Sequence, residues 1–328
     1  MRNIPILAVI LLMGLFQSSF FSGKKTTYTF GFYNVENLFD TIRNTNIHDE
    51  DFTPQGKNHW DSKKYQIKLD NLSRVILGLG YGNAPVIVGM AEIENRQVLE
   101  DLIRTKNLKG KKYSVIHHNS KDERGIDVAA IYRTDVMKDV KYEYLEVELP
   151  EKDDFTREIL YVKANVLGKY AVNIFYNHWP SRREGEAQSE PKRIAVANVL
   201  KQKIAGIKKA DASAVIFVMG DFNDEPDNKS IAEVLGAGKP TDKTKQLVNL
   251  SYEKFEKNEG THAFRGDWNM LDQVMVSRNF YEKTTGLTLS QKETSIFKED
   301  YVLFRHKDGT ITPNKSYSGS QFHKNGYS

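Results

Sequence analysis

The sequence contains no cysteine in 328 residues, and this absence removes several kinds of chemistry. Disulfide bonds, thiolate metal sites, cysteine nucleophiles and a lipid-modified N-terminal cysteine are all excluded. Any metal ion must therefore be held by oxygen atoms or by histidine nitrogen.

The sequence also lacks a clear excess of one charge sign. Lys and Arg number 47 against 43 Asp and Glu, which gives a formal net charge of +4. This balance is too even to indicate a nucleic-acid-binding surface by itself, and it does not exclude a polyanionic partner. With 39% hydrophobic residues the chain can bury a sizeable core, and we expect one globular α/β domain.

An apolar run long enough to cross a membrane is missing as well. Arg2 precedes the apolar run Ile4 to Phe16, and Gln17 to Gly23 is mostly small and polar. This three-part pattern is typical of a secretory signal, and the run is shorter than the roughly 20 residues of a spanning helix. We therefore expect residues 1–23 to direct export to the periplasm or the extracellular medium, with an uncleaved anchor as the alternative.

The most informative stretch is an apolar run that breaks off in polar groups. Val215 to Met219 predicts a strand buried on both faces, and Gly220 after it permits close backbone approach. Asp221 and Asn223 are two residues apart, so they project to one side if the chain stays extended. This pattern favours a functional site at the strand end. An Asx-type turn, in which both side chains bond only their own backbone, is the alternative.

Other predicted strands also carry polar groups at their ends. The side chains concerned are Asn34, Glu92, His178 and, near the start of a later strand, Asp272. Oxygen atoms from Glu92, with Asp221 and Asp272 nearby, suit a hard divalent cation such as Mg²⁺ or Mn²⁺. A metal site built from these carboxylates is therefore predicted.

Two arginines follow His178 closely, in the order His178-Trp179-Pro180-Ser181-Arg182-Arg183. A single histidine is more often a core residue than a catalyst, but the guanidinium groups of Arg182 and Arg183 suit phosphate oxygens. Together with the metal site, these donors predict hydrolysis of a phosphoester.

Two polar features are interpreted without a catalytic role. The run His48 to Asp51 lacks regular spacing and is interpreted as a solvated loop. Asp127 interrupts an apolar strand and is interpreted as a structural, partner-bonded residue. Helices are predicted over Asp61 to Leu77, from Arg96 and over Glu186 to Ile207.

From about Tyr28 onwards, the order of these motifs resembles the endonuclease/exonuclease/phosphatase superfamily. The blocks that carry the resemblance are Asn34-Val35-Glu36-Asn37, Ala91-Glu92-Ile93-Glu94, Arg124-Gly125-Ile126-Asp127, Asn177-His178-Trp179-Pro180, Gly220-Asp221-Phe222-Asn223 and Leu271-Asp272-Gln273-Val274. Within the superfamily, the chain is most similar to exported bacterial members of the deoxyribonuclease and exonuclease III type. This resemblance implies a four-layer α/β sandwich in which two mixed β-sheets are flanked by helices.

The resemblance also implies a metal-dependent nuclease that works as a monomer on nucleic acid, with no stable membrane partner. Glu92 matches the principal ligand of Mg²⁺ or Mn²⁺, and Asn34 matches an amide that helps to hold that site. Asp272 matches a carboxylate that orients a histidine or binds a second metal ion.

The implied catalytic residues are His178, Asp221 and Asn223, together with Asp272. His178 matches a histidine that hydrogen-bonds the scissile phosphate, and Asp221 matches the residue that activates the attacking water. Asn223 matches an amide donor to a phosphoryl oxygen.

One block of the superfamily pattern is absent. Superfamily members continue with Asp and His after a serine in the position of Ser328, where this chain stops. The resemblance thus implies a further histidine and a further core strand. We expect the natural protein to continue into that strand. Residues 24–328 then comprise the endonuclease/exonuclease/phosphatase domain except for its final strand. If the protein ends at Ser328, we expect hydrolysis to be reduced by about 10²- to 10⁴-fold.

Two other functions are compatible with the same residues. The substrate is an inositol or lipid phosphate in the first alternative, because specificity resides in loops whose sequence does not reveal it. In the second, the chain is a non-catalytic module that binds phosphate.

Overall fold

A computed structural model describes residues 26–264, 266–290 and 294–327. The predicted signal at residues 1–23 and the predicted continuation after Ser328 lie outside these residues, so both stay predictions. Within the described ranges, none of the helices combines the length and the apolar character that crossing a membrane requires.

The described residues form seventeen strands and five α-helices. The strands are β1 (Phe30–Leu38), β2 (Ile87–Ile93), β3 (Tyr113–Ile116), β4 (Asp127–Arg133), β5 (Met137–Leu145), β6 (Ile159–Val166), β7 (Tyr170–His178), β8 (Ile216–Asp221), β9 (Ala237–Gly238), β10 (Leu247–Asn249), β11 (His262–Phe264), β12 (Asp267–Asn269), β13 (Asp272–Ser277), β14 (Leu303–Arg305), β15 (Ile311–Pro313), β16 (Tyr317–Ser318) and β17 (Gln321–Phe322). The α-helices are α1 (Ser62–Leu79), α2 (Arg96–Arg104), α3 (Glu186–Ala210), α4 (Tyr252–Glu256) and α5 (Arg278–Tyr281). Short 3₁₀ turns at Glu50–Phe52 and Asp300–Val302 and a π-helical turn at Ser230–Leu235 complete the set.

Two mixed sheets pack face to face. The first has the strand order β1-β2-β4-β3, and the second has the order β5-β6-β7-β8-β13-β10-β9. Apolar side chains of both sheets form the core between them, for example Ile87 and Val128 from the first and Val162 and Met219 from the second. Gly89 lets the sheets approach, because a Cβ atom there would lie 1.9 Å from the Tyr176 ring.

Helices cover the outer faces of both sheets. Leu72 of α1 and Leu102 of α2 pack against the first sheet at Met90. Leu200 of α3 packs against the second sheet at Val218. The predicted four-layer α/β sandwich is therefore confirmed, because each sheet is buried on one face by its partner sheet and on the other by helices.

Strand register brings three polar residues into one row. The parallel pair β7 and β8 places His178 opposite Asp221, and the antiparallel pair β8 and β13 places Asp272 opposite Asp221. Residues opposite one another on adjacent strands point to the same face of a sheet. The ends of three neighbouring strands therefore deliver their polar side chains to one place.

The second sheet contains a strand that the sequence pattern does not predict. In β5, residues 138, 139, 141, 142 and 143 include four charged side chains and are mostly exposed, because β5 is an edge strand. The polar tail likewise forms two small hairpins, β14–β15 and β16–β17. The tail packs on α1, where the Asn71 side chain donates hydrogen bonds to the carbonyls of Lys324 and Gly326.

The loop at residues 48–51 is exposed at His48, Glu50 and Asp51, as interpreted, and differs only at Asp49, which is buried. Asp49 is only 1% exposed, pairs with Arg43 and accepts a hydrogen bond from the Asn44 backbone N–H. Burial of a carboxylate requires such partners. The sequence around Asp49 is polar throughout, so it does not indicate that Arg43 is the partner. Asp127 is a bonded structural residue as predicted, since its carboxylate contacts His117 Nε2 at 2.9 Å.

Candidate active site

The candidate site lies where the two sheets meet at one end of the sandwich. Asn34 and Glu92 come from β1 and β2 of the first sheet. His178, Asp221 and Asp272 come from β7, β8 and β13 of the second. The structure thus brings together residues that lie far apart in the sequence.

Asn34 connects the two sheets through its side-chain amide. Its Nδ2 donates to Asp221 Oδ2 at 3.0 Å and approaches Glu92 Oε1 at 3.5 Å. Its Oδ1 accepts a hydrogen bond from the Glu36 backbone N–H at 3.0 Å. Both ends of the amide are therefore occupied, so that Asn34 fixes the separation of the two carboxylates.

Glu92 sits at an irregularity of β2 and has a left-handed backbone with φ of 65°. Its Oε2 accepts a hydrogen bond from the Asn37 backbone N–H at 2.9 Å. Burial raises the pKa of Glu92, and the negative charge of Glu36 raises it further, while Arg124 acts in the opposite direction. A nearby cation would therefore stabilise the charged form of this carboxylate.

Asp221 and Asp272 form a pair of neighbouring carboxylates. Burial raises the pKa of Asp221, although its Oδ1 accepts a hydrogen bond from the Asn223 backbone N–H at 3.0 Å. Burial also raises the pKa of Asp272, and the charge of Asp221 adds to that effect. Thr261 is a hydrogen-bond partner of Asp272, and the implied role of Asp272 in orienting a histidine or binding a second metal ion stays a prediction. Oδ1 of Asp272 is buried without a hydrogen-bond partner in the described residues.

His178 faces the carboxylates from β7. Its Nε2 lies 4.0 Å from Glu92 Oε1 and 3.9 Å from Asp221 Oδ2. Burial holds the pKa of His178 well below its ordinary value, and the positive charges of Arg157, Arg124 and Arg183 lower it further. The imidazole is therefore neutral at neutral pH, with one nitrogen available as a donor and the other as an acceptor.

Asn223 adopts the Asx-type turn that its sequence position allows. Its backbone N–H bonds the Asp221 carboxylate, which is an Asx-type turn, and its Nδ2 donates to the Trp179 carbonyl at 3.0 Å. Its backbone is left-handed, with φ of 48°. Asn223 therefore supports Asp221 in this structure, and a role as donor to a phosphoryl oxygen stays a prediction.

The two predicted phosphate-binding arginines have different surroundings. Arg182 donates to the Asn223 carbonyl at 2.6 Å and to Asn228 Oδ1 at 2.7 Å, and it lies 3.3 Å from Asp224 Oδ1. Its guanidinium thus stabilises the loop after Asp221 and has few donors left for a ligand. Arg183 lines the groove beside His178.

Two charged or titratable residues of the site received no role from the sequence. Arg124 lines the groove, its side chain is 36% exposed, and it acts electrostatically on both Glu92 and His178. His262 on β11 also lines the groove and has a buried Nδ1 without a partner in the described residues. Arg124 opens one of the motif blocks that carry the family resemblance, and that block is the sequence signal for it.

The donor set fits a hard divalent cation. Glu92, Asp221 and Asp272 supply carboxylate oxygens, and one Asp272 oxygen lacks a partner. The described residues contain no group of three or more acidic or histidine side chains already arranged around a metal position. Mg²⁺ commonly binds through one or two carboxylates and keeps several waters, so a complete protein cage is not required.

The site opens into a groove of about 2030 Å³. Its lining includes the side chains of Phe264, Trp268 and Lys315. Elsewhere it follows β1 and the apolar side chains of the core edge. The groove is therefore wide enough for a ligand much larger than a phosphate ion.

Comparisons with known proteins agree with this architecture. The profile of the Endonuclease/Exonuclease/phosphatase family matches residues 29–328. A mannosyl-6-phosphatase of Bacteroides thetaiotaomicron superposes with a TM-score of 0.50 at 17% identity, covering 76% of this chain and 85% of that chain. At this identity the likeness shows the fold alone.

Two further solved structures are similar over a comparable length. The human Nocturnin catalytic domain gives a TM-score of 0.48 at 15% identity and covers 65% of this chain and 76% of that chain. Truncated Caenorhabditis elegans TDP2 gives a TM-score of 0.47 at 16% identity and covers 75% of this chain and 82% of that chain. Comparison with curated protein sequences finds no significant match.

Proposed function

Because the chain belongs to the endonuclease/exonuclease/phosphatase family, we propose that it is a metal-dependent phosphodiesterase that cleaves nucleic acid. The family consists of hydrolases that act on phosphoesters. The observation that supports this reaction best is the arrangement around Asn34, whose amide holds Asp221 and Glu92 opposite a neutral His178. Carboxylates on one side and hydrogen-bond donors on the other suit a water nucleophile and an anionic phosphoryl group.

The residues divide the chemistry between them. Asp221 accepts the proton of the attacking water, whose oxygen forms a bond to phosphorus as the bond to the leaving oxygen breaks. His178 donates a hydrogen bond to a phosphoryl oxygen, and Arg124 and Arg183 add positive charge. Glu92 would hold the metal ion, with Asp272 as a further oxygen ligand and Asn34 as the amide that orients both sheets. Mg²⁺ bound there would supply positive charge to the phosphoryl oxygen.

Nucleic acid is the proposed substrate because of the open groove beside the site. A polymer requires contacts on both sides of the scissile bond, and the lining of the groove includes Trp268 and Lys315 besides the residues of the site. The Trp268 ring at the rim offers a surface on which a base can stack. Extracellular or periplasmic action follows from the proposed signal at residues 1–23.

The test is a substrate comparison with and without metal. Wild-type protein is incubated with supercoiled plasmid DNA, a single-stranded RNA, inositol phosphates and a sugar phosphate, each in Mg²⁺, in Mn²⁺ and in EDTA. Glu92→Gln removes the proposed ligand, and the exposed helix variant Glu100→Gln is the matched control. We expect nicking of the plasmid only in the presence of metal, loss of nicking in Glu92→Gln, and wild-type nicking in Glu100→Gln.

Other results identify the alternatives. Turnover of inositol or sugar phosphates without plasmid nicking would replace the nuclease by a phosphatase. Tight DNA binding without turnover of any substrate would support a non-catalytic phosphate-binding module.

A further inference from the structure

A lysine ammonium is buried beneath the candidate site. Lys68 lies in the middle of α1 and is 2% exposed. Its Nζ donates to the Glu36 carbonyl at 2.7 Å and to Ser316 Oγ at 3.4 Å. Among the described residues, no carboxylate lies within ion-pair distance of this ammonium. A buried charge of this kind is expensive, and replacing it by an apolar side chain is often neutral for stability or stabilising.

The carbonyl that accepts the Lys68 hydrogen bond belongs to a strained piece of backbone. Glu36 and Asn37 are consecutive non-glycine residues with left-handed φ values of 50° and 61°. The left-handed conformation is unfavourable for L-amino acids with a side chain, and it persists only where the surrounding structure imposes it. The register of β1 against β2 is irregular at the same place, between Asn34 and Leu38.

The left-handed pair sets the geometry of the proposed metal ligand. It points the Asn37 backbone N–H at Glu92 Oε2, 2.9 Å away, and the Glu36 N–H at Asn34 Oδ1, 3.0 Å away. The Glu36 side chain is fixed separately by Lys315, whose Nζ lies 2.8 Å from Glu36 Oε1. Lys68 is thus one hydrogen bond removed from the segment that orients both Asn34 and Glu92.

We propose that Lys68 is a positioning residue, which holds the Glu36-Asn37 backbone in its left-handed form so that Glu92 and Asn34 are preorganised for a divalent cation. Groups that orient metal ligands in this indirect way contribute strongly to metal affinity. The inference rests on the proposed metal-dependent function. It concerns metal binding itself, so it is measured without any substrate.

The same helix provides a matched control. Lys64, one turn earlier in α1, donates from Nζ to the Asn58 carbonyl at 2.8 Å. It thus makes the same kind of hydrogen bond to a main-chain carbonyl, but no hydrogen bond among the described residues joins that loop to Asn34 or Glu92. Lys64→Met and Lys68→Met therefore remove the same chemical group at two places.

The experiment titrates Mn²⁺ into metal-free protein and follows free Mn²⁺ by electron paramagnetic resonance. We expect Lys68→Met to weaken Mn²⁺ binding by about 10- to 100-fold, the range typical of lost ligand-orienting contacts. Lys64→Met is expected to bind like the wild type, and Lys68→Arg, which keeps charge and donors, to recover part of the affinity. Thermal unfolding without metal should stay cooperative in all variants.

The direction of the change separates the possible roles of Lys68. Loss of a positive charge near Glu92 by itself would tighten cation binding, so tighter binding in Lys68→Met overturns the positioning role. Unchanged Mn²⁺ affinity overturns it as well. If Lys68→Met fails to fold, Lys68→Gln, which keeps a neutral donor, is held to the same criterion.

Failure of the inference is distinguishable from failure of the proposed function. If the wild type hydrolyses none of the substrates but binds Mn²⁺ more tightly than Lys68→Met, the proposed reaction is overturned and the positioning role is supported. A wild type that hydrolyses plasmid DNA, with Mn²⁺ affinity equal to that of Lys68→Met, removes the positioning role alone. A wild type without Mn²⁺ binding overturns both.

Discussion

Asn34 Nδ2 donates a hydrogen bond to Asp221 Oδ2 at 3.0 Å across 187 positions of sequence. Asn34 lies in the middle of β1 of the first sheet, at the last regular pair before its register with β2 shifts, and Asp221 ends β8 of the second. A single amide therefore fixes how far apart the polar edges of the two sheets lie. The same Nδ2 also approaches Glu92 Oε1, so that one donor serves both carboxylates.

Replacing Asn34 by alanine is expected to reduce kcat/KM by about 100-fold, because small misplacements of reacting groups have effects of that size. The free energy of unfolding should fall by only about 1 kcal/mol, the typical net contribution of one hydrogen bond. Steady-state hydrolysis and urea denaturation measure the two quantities. Asn71→Ala, which removes an amide that bonds the tail, is the control and should keep full activity. A loss of stability without a loss of activity in Asn34→Ala would contradict this assignment.

Asp272→Asn is expected to make the metal-free protein more stable and less active. Burial and the charge of Asp221 raise the pKa of Asp272 to about 8, so ionising this carboxyl at higher pH opposes folding. The sign follows from the raised pKa. The folded state binds the proton more tightly than the unfolded state, so the stability contributed by the neutral carboxyl is lost progressively as pH rises from the ordinary pKa of an aspartate towards about 8, and no more is lost above that pH.

The measurement is the thermal midpoint of EDTA-treated wild type and Asp272→Asn between pH 6 and pH 9. The midpoint difference should grow in favour of Asp272→Asn from pH 6 to about pH 8 and then level off, whereas the exposed helix variant Asp70→Asn should show no such trend. A constant difference across the range would mean that Asp272 does not titrate there.

Arg193 and Asp224 form a buried ion pair, and its loss is expected to lower the free energy of unfolding. Arg193 Nε lies 2.7 Å from Asp224 Oδ1, and both side chains are 1% exposed. Arg193→Met leaves a buried carboxylate with weaker compensation, which is expected to reduce the free energy of unfolding by about 3 kcal/mol. The double variant Arg193→Met with Asp224→Asn should recover much of that loss. Urea denaturation of the four proteins tests this, and strictly additive effects would exclude the coupling.

Arg124 and Arg182 should respond differently to truncation. Arg124 has its guanidinium beside the groove, so Arg124→Ala is expected to lower kcat/KM by about 10- to 100-fold, the equivalent of one lost charged hydrogen bond. Arg182 is bonded to the loop after Asp221, so Arg182→Ala should lower the thermal midpoint as well as activity. Steady-state kinetics and thermal unfolding of both variants distinguish a ligand contact from a loop contact. Equal losses of stability in the two variants would refute the distinction.

The sequence predicts the fold well where strands are buried. The run Val215 to Met219 is apolar because β8 is covered on both faces, and the same holds for β2 and β7. Their ends are recognisable because the polar residues follow directly. β5 escapes prediction because its edge position exposes charged side chains, so that apolar alternation is lost.

The candidate site is predictable residue by residue only where a motif marks a strand end. Glu92, His178 and Asp221 are found in this way, and the structure places them together. Lys68 is not, since a lysine within an amphipathic helix has the same pattern as a solvated one. Its buried position depends on Ser316 and on the Glu36 carbonyl, which are contacts from distant parts of the chain. The same limitation explains why Arg182 and Arg183 have equal status in the sequence but different partners in the structure.

The wide spacing of Asn34 and Asp221 along the chain also has a consequence for protein synthesis. The ribosome adds Asn34 early. Asp221, which accepts its hydrogen bond, lies 187 positions later in the sequence. Asp272 follows later still. A nascent chain therefore carries no assembled hydrolytic centre during most of its translation.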